Sequence, residues 1–356
     1  MVSFYSLEVK EVKRETDTCV SVVFEVPSAL ADVFKFIQGQ YLTLRLDLNG
    51  EEIRRSYSIC SSPYSNELRV AIKQIPDGKF STYANTLLKV GDILDVMPPL
   101  GSFYTALDSS HQKKYAAFAS GSGITPIMSI LRAILQTETK STLTLFYGNK
   151  TSESTIFKSD LEDLKNDYPN RFHLYHVLSR THDVEDKFKG RLSANKCKAY
   201  HNDLLDFTNL DEVFLCGPEQ MIFEVKDALI NLGLGPSNIH FELFTTSSKP
   251  IAGDENIENV LIGMTQIEVI VDGDSHHFEL SEDGDTILDA AIEVDADVPF
   301  ACKGGVCCAC KAKVMEGSVR MDLNYALDED ELEEGYVLTC QAHPTSDKVV
   351  IDFDEI

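Results

Sequence analysis

The chain has 356 residues, a formal net charge of −25 at pH 7 and a hydrophobic fraction of 43%. This length suggests two or three domains, and the hydrophobic fraction is ample for folded cores. The negative charge argues against partners such as nucleic acid or anionic membrane surfaces. We find no long apolar run and no signal peptide, so we expect a cytoplasmic protein without a membrane segment. Nine cysteines, an odd number, argue against a secreted disulfide framework.

The acidic residues are concentrated towards the C-terminus. Residues 266–356 hold 23 acidic and 5 basic side chains, whereas the other 265 residues hold 34 and 27. Two explanations remain open. The acidic surface could serve solubility, or it could dock a basic partner, because complementary charge speeds encounter.

Residues 1–107 are typical of a small antiparallel β-barrel, because short runs of β-forming residues alternate with turns. Within this region Arg55 and Tyr57 share one face of a predicted strand, while Ser56 and Ser58 share the other. A cation beside an aromatic ring could bind a pyrophosphate and stack on a ring system. Barrel exteriors also carry such residues without any function, so the pattern alone decides little.

A second segment of the barrel region carries a possible phosphate site. A strand at residues 70–73 is followed by Gly78, Ser81 and Thr82. We interpret these residues as a glycine turn and a helix start capped by a hydroxyl group, where exposed N–H groups can hold phosphate.

Residues 108–244 alternate between strands and helices. Apolar strands are predicted at 115–120, 143–147, 172–178, 212–216 and 239–244, and helices at 126–135, 157–166 and 218–232. This order predicts a doubly wound α/β domain, in which ligands bind at the carboxyl ends of the strands.

Three loops at those strand ends are candidates for binding. The loop 121–123 can bring backbone donors and a helix N-terminus to a pyrophosphate, although it lacks the GxGxxG fingerprint. Arg180, next to Ser179, follows a strand and could pair with a phosphate. Cys216 ends another strand before Gly217 and Pro218, and it could equally be a small buried hydrophobic residue.

Residues 245–265 are polar, which is typical of a linker. The remaining residues, 266–356, begin with a predicted hairpin at 266–271 and 275–280. A helix at 286–292, capped by Asp285, is predicted to follow.

The cysteine spacing of this last region is the most specific signal in the chain. Cys302, Cys307 and Cys310 are spaced Cys-x4-Cys-x2-Cys, and Cys340 follows after 29 residues. This is the plant-type pattern of thiolates for a [2Fe–2S] cluster, and soft iron–sulfide centres select thiolate ligands. A zinc site is less well supported, since zinc ligands more often come as two close pairs. Cys308 lies outside the spacing and is predicted not to bind iron.

Three motifs together carry a family resemblance. Arg-x-Tyr-Ser at 55–58, Gly-Ser-Gly-Ile-Thr-Pro at 121–126 and Cys-Gly-Pro at 216–218 resemble the ferredoxin–NADP reductase superfamily, and the C-terminal region resembles plant-type ferredoxin. The same domain order occurs in reductase components of several bacterial oxygenases. The resemblance implies a multi-domain protein: an antiparallel β-barrel FAD domain (1–107), an α/β doubly wound NAD(P) domain (108–244), a linker (245–265) and an α+β (β-grasp) ferredoxin domain (266–356).

The resemblance also implies roles for individual positions. Ser58, near the flavin N5, and Cys216, near the nicotinamide ring, would be catalytic; Arg55 would bind the FAD pyrophosphate and Tyr57 would stack on the isoalloxazine. The Ser179–Arg180 pair resembles one that recognises a 2′-phosphate, which favours NADPH over NADH. The other implied cofactor-binding residues are Ser56, Ala71, Ile72, Lys73, Gly78, Ser81, Thr82, Gly121, Ser122, Gly123, Thr125, Pro126, Gly217, Pro218 and Phe244.

The function implied by the resemblance is electron transfer from NADPH through FAD and a [2Fe–2S] cluster to an oxygenase partner with a basic docking face. Two alternatives remain open. The first concerns the oxygenase partner, which could be any of several enzymes, including a ring-hydroxylating or a steroid monooxygenase. The second is that the chain could be a non-enzymatic electron carrier or redox sensor.

Overall fold

The computed structural model describes residues 4–181, 184–244 and 264–355. Residues 4–53 and 57–244 form one compact unit, and residues 264–355 belong to a second. The predicted linker lies outside the described residues except for Met264 and Thr265, which already form the start of a strand. Among the described helices, none is both long enough and apolar enough to cross a membrane.

The N-terminal part of the first unit is the predicted antiparallel barrel. Its six strands pair in the order β4-β3-β6-β1-β2-β5. Ile59 pairs with Val70, which links the segment after β4 to β5 and closes the sheet. Alternating side chains such as Leu7, Val22 and Leu44 are fully buried inside it. The strands are β1 (Tyr5–Thr16), β2 (Cys19–Glu25), β3 (Tyr41–Leu48), β4 (Glu51–Ser58), β5 (Leu68–Lys73) and β6 (Ile93–Val96), with helix α1 (Lys79–Thr86) between β5 and β6.

The rest of the first unit is the predicted α/β domain. Its five strands are all parallel, in the order β11-β10-β7-β8-β9. Helix α2 is buried along most of its length, as expected of a helix that packs on a parallel sheet. The strands are β7 (Lys114–Ser120), β8 (Thr142–Asn149), β9 (Phe172–Leu178), β10 (Glu212–Cys216) and β11 (Ile239–Glu242); the helices are α2 (Ile124–Thr137), α3 (Lys158–Asp167), α4 (Ala194–Asp203) and α5 (Glu219–Asn231).

Two details of this domain differ from the prediction. Helix α4 was not predicted, because its sequence is mostly polar and buries only Cys197 and Tyr200. The last strand ends at Glu242, two residues earlier than predicted.

The second unit contains a five-stranded mixed sheet and a small two-stranded sheet. The larger sheet has the order β13-β12-β18-β14-β16, and β15 pairs with β17. The predicted hairpin is present, and Asp272 and Gly273 both have positive φ, as its tight turn requires. The strands are β12 (Met264–Val271), β13 (Asp274–Ser281), β14 (Lys311–Glu316), β15 (Val319–Met321), β16 (Tyr336–Leu338), β17 (Ala342–Pro344) and β18 (Lys348–Asp352); the helices are α6 (Ile287–Glu293) and α7 (Glu329–Glu333).

The cap of α6 differs from the prediction. Thr286, not Asp285, is the N-cap, and its hydroxyl accepts a hydrogen bond from the Asp289 N–H. Thr286 thus has the capping role predicted for Asp285, which is to accept from an N–H group of the first turn that has no partner within the helix. The helix therefore begins one residue later than predicted.

Candidate functional site

A polar cluster lies where one barrel strand and two parallel strands end. Ser58 is the last residue of β4, Cys216 ends β10 and Glu242 ends β11. The Ser58 hydroxyl donates a hydrogen bond to Oε2 of Glu242 over 3.2 Å, across 184 residues of sequence. In the β10–β11 register, Cys216 is paired with Glu242. The fold therefore brings together both residues predicted to be catalytic and adds a carboxyl group.

Glu242 is the member of this cluster that sequence analysis missed. Burial raises the pKa of its carboxyl to about 8, and the Ser58 hydrogen bond opposes this only in part. Such a carboxyl is mostly protonated at pH 7, so it can donate a proton as well as accept a hydrogen bond. A signal was present in the sequence, since a carboxylate at the carboxyl end of a parallel strand lies where ligands bind.

Cys216 is a neutral buried thiol. Burial, together with the neighbouring Glu242 carboxyl, raises the pKa of Cys216 well above its usual value. A Cβ atom at Gly123 would lie 2.1 Å from the Cys216 carbonyl oxygen, so only glycine fits there. A Cβ atom at Gly217 would lie 2.9 Å from the end of the Met221 side chain and 3.0 Å from the Cβ of Ser120. The two predicted glycine loops therefore lie against each other.

The loop 121–123 is a short 3-10 turn that leads directly into α2. The hydroxyl of Tyr147 donates to the Gly121 carbonyl over 3.0 Å, and that of Thr125 donates to the Ser122 carbonyl over 3.0 Å. Thr125 thus holds the loop itself, and Pro126 lies in the first turn of the helix. A fixed loop at the N-terminus of a 14-residue helix is an arrangement that suits an anionic group.

Lys73 lies beside this loop, at the end of β5. Its Nζ would be 3.2 Å from a Cβ atom placed on Gly121. Burial lowers the pKa of Lys73, and within the described ranges no carboxylate forms an ion pair with it. A half-buried cation without a carboxylate partner fits phosphate oxygens.

The predicted flavin-stacking residues lie on β4. The ring of Tyr57 is partly exposed and packs on Phe80, with centroids 5.5 Å apart and planes tilted by 43°. Arg55 is exposed, and its Nη1 donates to the Arg54 carbonyl over 2.6 Å. These side chains leave one aromatic surface and one cation accessible, while Ser56 points to the other face of the strand.

On the neighbouring β5, Ala71 and Ile72 are both buried. Ile72 belongs to the barrel core, so only its backbone is available to a flavin.

Helix α1 begins without the predicted hydroxyl cap. Gly78 is its N-cap, and no side chain caps the helix. The Ser81 hydroxyl instead accepts from the Ile75 N–H and donates to the Gly78 carbonyl, each over 3.2 Å. The Thr82 hydroxyl accepts from Gln74 over 3.3 Å. The serine serves to fold the turn, which leaves the first N–H groups of the helix for a phosphate or for water.

Ser179 and Arg180 follow β9 as predicted. The Ser179 hydroxyl donates to the Asn149 carbonyl over 3.3 Å, and the Arg180 N–H donates to the Lys150 carbonyl over 2.8 Å. The Arg180 side chain is exposed and makes no ion pair within the residues that the structure describes. Phe244 follows the end of β11 and is 38% exposed.

In the second unit, the four predicted cluster ligands come together. The thiols of Cys302 and Cys307 are 3.1 Å apart on the loop before β14. Hydrogen bonds from Cys307 and then from Cys340 lower the pKa of the Cys302 thiol, and one from Cys340 lowers that of Cys310. Cys340 therefore reaches the loop from the turn after β16.

No group of three or more His, Cys, Asp or Glu side chains within 4–181, 184–244 and 264–355 suits a single metal ion. A [2Fe–2S] cluster makes a different demand, because four thiolates are shared between two irons. The donor set here is four sulfur atoms, which fits iron–sulfide chemistry.

The backbone of the ligand loop is tightly turned. Lys303 and Gly305 both have positive φ, and the Gly304 N–H donates to the Cys302 sulfur over 3.3 Å. A Cβ at Gly305 would lie 3.0 Å from the Leu323 carbonyl oxygen. The glycines of this loop thus let a backbone donor approach sulfur.

Gln341 is a neighbour of this site that sequence analysis missed. It is 7% exposed, and its Nε2 lies 2.7 Å from the Cys340 carbonyl, 3.3 Å from the Lys303 carbonyl and 3.6 Å from the Cys340 sulfur. One amide therefore joins the two chain segments that supply the cysteines. The Cys308 thiol donates to the Ala326 carbonyl over 3.3 Å, which gives it a partner other than iron.

Three family models match the chain, in the predicted order. The oxidoreductase FAD-binding domain matches residues 6–104 and the oxidoreductase NAD-binding domain residues 118–227. The 2Fe-2S iron-sulfur cluster binding domain matches residues 269–345. The predicted set of three cofactors, FAD, a pyridine nucleotide and [2Fe–2S], is confirmed at the level of domains.

Curated relatives match over nearly the whole chain. One component of the 1,2-phenylacetyl-CoA epoxidase from Escherichia coli K12 is 42% identical over 99% of both chains. The ferredoxin reductase component of 3-ketosteroid-9-alpha-monooxygenase from Rhodococcus rhodochrous is 33% identical over 98% of this chain and 96% of its own length. The reductase subunit of glycine betaine monooxygenase from Chromohalobacter salexigens is 30% identical, over 96% and 95% respectively.

Solved structures share the fold. Phthalate dioxygenase reductase is 20% identical, with a TM-score of 0.60 over 98% of both chains. An intact type IV self-sufficient cytochrome P450 monooxygenase is 19% identical with a TM-score of 0.72; the match covers 98% of this chain but 41% of that protein. Full-length relatives above 30% identity decide the family, and the three matched domains agree with it. The chain belongs to the family of NAD(P)H-dependent FAD and 2Fe–2S oxidoreductases that are the reductase components of oxygenases.

Proposed function

We propose that this chain is the reductase component of a phenylacetyl-CoA epoxidase and passes electrons from NADPH, through FAD and a [2Fe–2S] cluster, to that epoxidase. The identity of 42% over the full length of the Escherichia coli epoxidase component supports this partner above the steroid and betaine systems, at 33% and 30%. The observation that carries the reductase chemistry is the Ser58–Glu242–Cys216 cluster beside a glycine loop.

The residues present fit a flavin and a nucleotide. Tyr57 offers a partly exposed ring, and the start of α1 offers uncapped N–H groups. Lys73 offers a cation that pairs with no carboxylate in the part of the chain that the structure describes. When bound, the nicotinamide supplies a hydride, the flavin converts two-electron into one-electron chemistry, and the cluster carries single electrons.

The chain's own contribution at the Ser58 cluster is to hold a proton on the half-buried carboxyl of Glu242. The raised pKa of Glu242 keeps its carboxyl protonated, and the Ser58 hydroxyl is hydrogen-bonded to Oε2 of that carboxyl. Cys216 is fully buried and neutral, so it fills the space beside the loop 121–123 without introducing charge. We assign Ser58 to the flavin side of this site and Cys216 to the nicotinamide side.

Nucleotide choice is assigned to the exposed Arg180. Its guanidinium can form a bidentate pair with a 2′-phosphate, a group that NADPH has and NADH lacks. The neighbouring Ser179 hydroxyl is also exposed and could take part.

The cluster ligands in this proposal are Cys302, Cys307, Cys310 and Cys340. The Gly304 N–H lies 3.3 Å from the Cys302 sulfur, and the Gln341 amide lies 3.6 Å from the Cys340 sulfur. Hydrogen bonds to sulfur help to set the reduction potential of such clusters.

The acidic helix α7 is the proposed docking face for a basic surface of the epoxidase. Asp328 and Glu331 form a capping box that fixes the helix, and Lys311 pairs with Glu331 over 3.1 Å. Leu332, which is 40% exposed, lies among exposed acidic side chains. An apolar residue with a charged rim is typical of transient docking surfaces. We place the complex in the cytoplasm, where thiols stay reduced.

Reconstitution tests this proposal. Purified protein should contain FAD, iron and sulfide, and it should reduce an artificial one-electron acceptor with NADPH. It should also support turnover by purified phenylacetyl-CoA epoxidase but not by a steroid monooxygenase at equal concentration. If the protein supported turnover only by the steroid monooxygenase, that enzyme would replace the epoxidase as the assigned partner. A protein that never binds FAD would be a carrier or sensor, which would contradict the assignment as a reductase.

A further inference from the structure

A polar stripe on α2 contacts the chain just after Ser58. Ser129, Arg132 and Gln136 are spaced three and four residues apart, so they lie along one face of the helix. Their partners are three consecutive residues that follow β4 and Ile59, namely Cys60, Ser61 and Ser62.

Each contact is a hydrogen bond. Ser129 donates to the Ser61 carbonyl over 2.7 Å, and Nη1 of Arg132 donates to the Cys60 carbonyl over 3.2 Å. The Ser62 hydroxyl donates to Oε1 of Gln136 over 2.5 Å. Ser129 and Cys60 are fully buried, and Ser61 and Ser62 are nearly so. Arg132 is half-buried and Gln136 is exposed, but the atoms that they contact belong to buried residues. Loss of a partner therefore leaves a buried polar atom unpaired.

These contacts complete a closed ring of neighbours around the proposed site. The loop 121–123 at the start of α2 lies against Cys216, and Cys216 is paired with Glu242. Glu242 accepts a hydrogen bond from Ser58, and the chain after Ser58 returns to α2 through the stripe. The stripe is therefore the direct mechanical link between the strand that carries Ser58 and the helix that carries the glycine loop.

Arg132 is the best anchored member of the stripe. Its Nη2 pairs with Asp160 of α3 over 2.6 Å, and Asp160 also pairs with Lys13 of β1 over 3.5 Å. One guanidinium thus bridges the helix, the segment after β4 and a second helix. Its planar fork of donors is suited to holding several partners at fixed angles.

We propose that Ser129, Arg132 and Gln136 are positioning residues, which set the distance between the flavin at Ser58 and the nicotinamide at the loop 121–123. This inference rests on the proposed function, because it assumes hydride transfer at that place. A displacement of about 1 Å between reacting atoms can cost roughly 100-fold in rate. The stripe touches neither reacting group, so it acts on geometry alone.

The test uses Arg132→Met and Ser129→Ala in the full-length protein with its FAD. Single-turnover reduction of the flavin by saturating NADPH should be slower by roughly 10- to 100-fold. The long-wavelength absorbance of the stacked nicotinamide–flavin pair should weaken, while the FAD content stays the same. The dissociation constant of NADPH should change much less than the rate. Arg132→Lys keeps a donor and should recover part of the rate.

Arg171→Met is the matched control. Arg171 donates two hydrogen bonds to the other end of the same helix region, to the carbonyls of Glu138 and Leu135 at 2.8 and 2.7 Å. It makes no contact with the segment after β4 among the described residues. Its loss should lower the melting temperature but leave the rate of flavin reduction unchanged.

The outcomes distinguish a failure of the proposed positioning role from a failure of the proposed function. If Arg132→Met and Ser129→Ala both melt earlier but reduce flavin at the wild-type rate, the stripe is structural only and the inference is overturned. Equal slowing by Arg171→Met would also overturn it. If NADPH fails to reduce the flavin of the wild-type protein, the proposed function itself is wrong, and the inference is overturned with it.

Discussion

The cysteine loop and the Ser58 cluster are built in opposite ways. Three of the four predicted iron ligands lie within residues 302–310, where one tight loop provides both sulfur atoms and an N–H donor to sulfur. The Ser58 cluster takes one residue from each of three strands, and its hydrogen bond spans 184 residues. The loop depends on its own backbone conformation, whereas the cluster depends on how the barrel packs against the parallel sheet. Local changes should therefore damage the first, and distant packing changes the second.

The largest effect is expected from Cys340→Ser, since Cys340 is the one predicted ligand outside the loop. A serine oxygen is a poor ligand for iron–sulfide, so the cluster should be lost and electron transfer to one-electron acceptors should fall to background. Flavin reduction by NADPH should persist. Iron analysis and visible absorbance measure the first effect, and stopped-flow absorbance the second.

Cys308→Ser is the matched control for that variant. Its thiol is bonded to the Ala326 carbonyl, so the protein should keep its cluster. Loss of iron from Cys308→Ser, with iron retained in Cys340→Ser, would reverse the ligand assignment.

In the α/β domain, Arg180→Gln should reduce kcat/KM for NADPH. Loss of a charge-assisted contact to a phosphate costs about 1.5–3 kcal/mol, or roughly 10- to 100-fold. The value for NADH should stay the same and serves as the internal control. Equal losses for both nucleotides would show that Arg180 does not read the 2′-phosphate.

Glu242→Gln tests whether the proton on the Glu242 carboxyl takes part in flavin reduction. In the wild type, flavin reduction should slow as the pH rises through about 8, because the carboxyl then loses its proton. The glutamine variant cannot ionise, so its rate should not change over the same range. An identical pH profile in both proteins would contradict a role for the Glu242 proton.

The same group makes a prediction about stability. The folded pKa of Glu242 lies above that of an unfolded carboxyl, so its stabilising contribution is complete below roughly pH 4.3 and is lost as the pH rises through about 8. The melting temperature of the wild type should therefore fall, relative to Glu242→Gln, as the pH is raised from mildly acidic to mildly alkaline. Differential scanning calorimetry at several pH values measures this gap.

The smallest effect is expected from Gln341→Leu, beside the cysteine loop. Its Nε2 lies 3.6 Å from the Cys340 sulfur, a weak contact, so its loss should move the reduction potential of the cluster slightly to more negative values. Spectroelectrochemistry measures the shift. A more positive potential in the variant would mean that the amide does not stabilise the reduced cluster.

The difference between the two regions also explains what the sequence could reveal. The spacing of Cys302, Cys307 and Cys310 is short and specific, so the iron–sulfur domain could be predicted without any tertiary information. The alternating strands and the glycine loops likewise predicted the barrel and the parallel sheet. These signals are local and periodic, and the family models and the observed topology confirm the predicted fold class of each part.

Glu242 and the stripe on α2 were not predicted, for a physical reason. The position of Glu242 at the end of a predicted strand was a signal, but its raised pKa could not be predicted, because it arises only when packing removes the carboxyl from solvent. Ser129, Arg132 and Gln136 look like an ordinary polar face until their buried partners are known. The prediction of a hydroxyl cap at the start of α1 was wrong, because the Ser81 side chain closes the preceding turn instead.

Anaerobic stopped-flow mixing with NADPH tests the central claim most directly. In the wild type, the flavin absorbance should bleach first and the iron–sulfur absorbance second. In Cys340→Ser only the first phase should remain. Bleaching of the cluster before the flavin, or cluster reduction in a protein stripped of FAD, would contradict the order of electron transfer proposed for this chain.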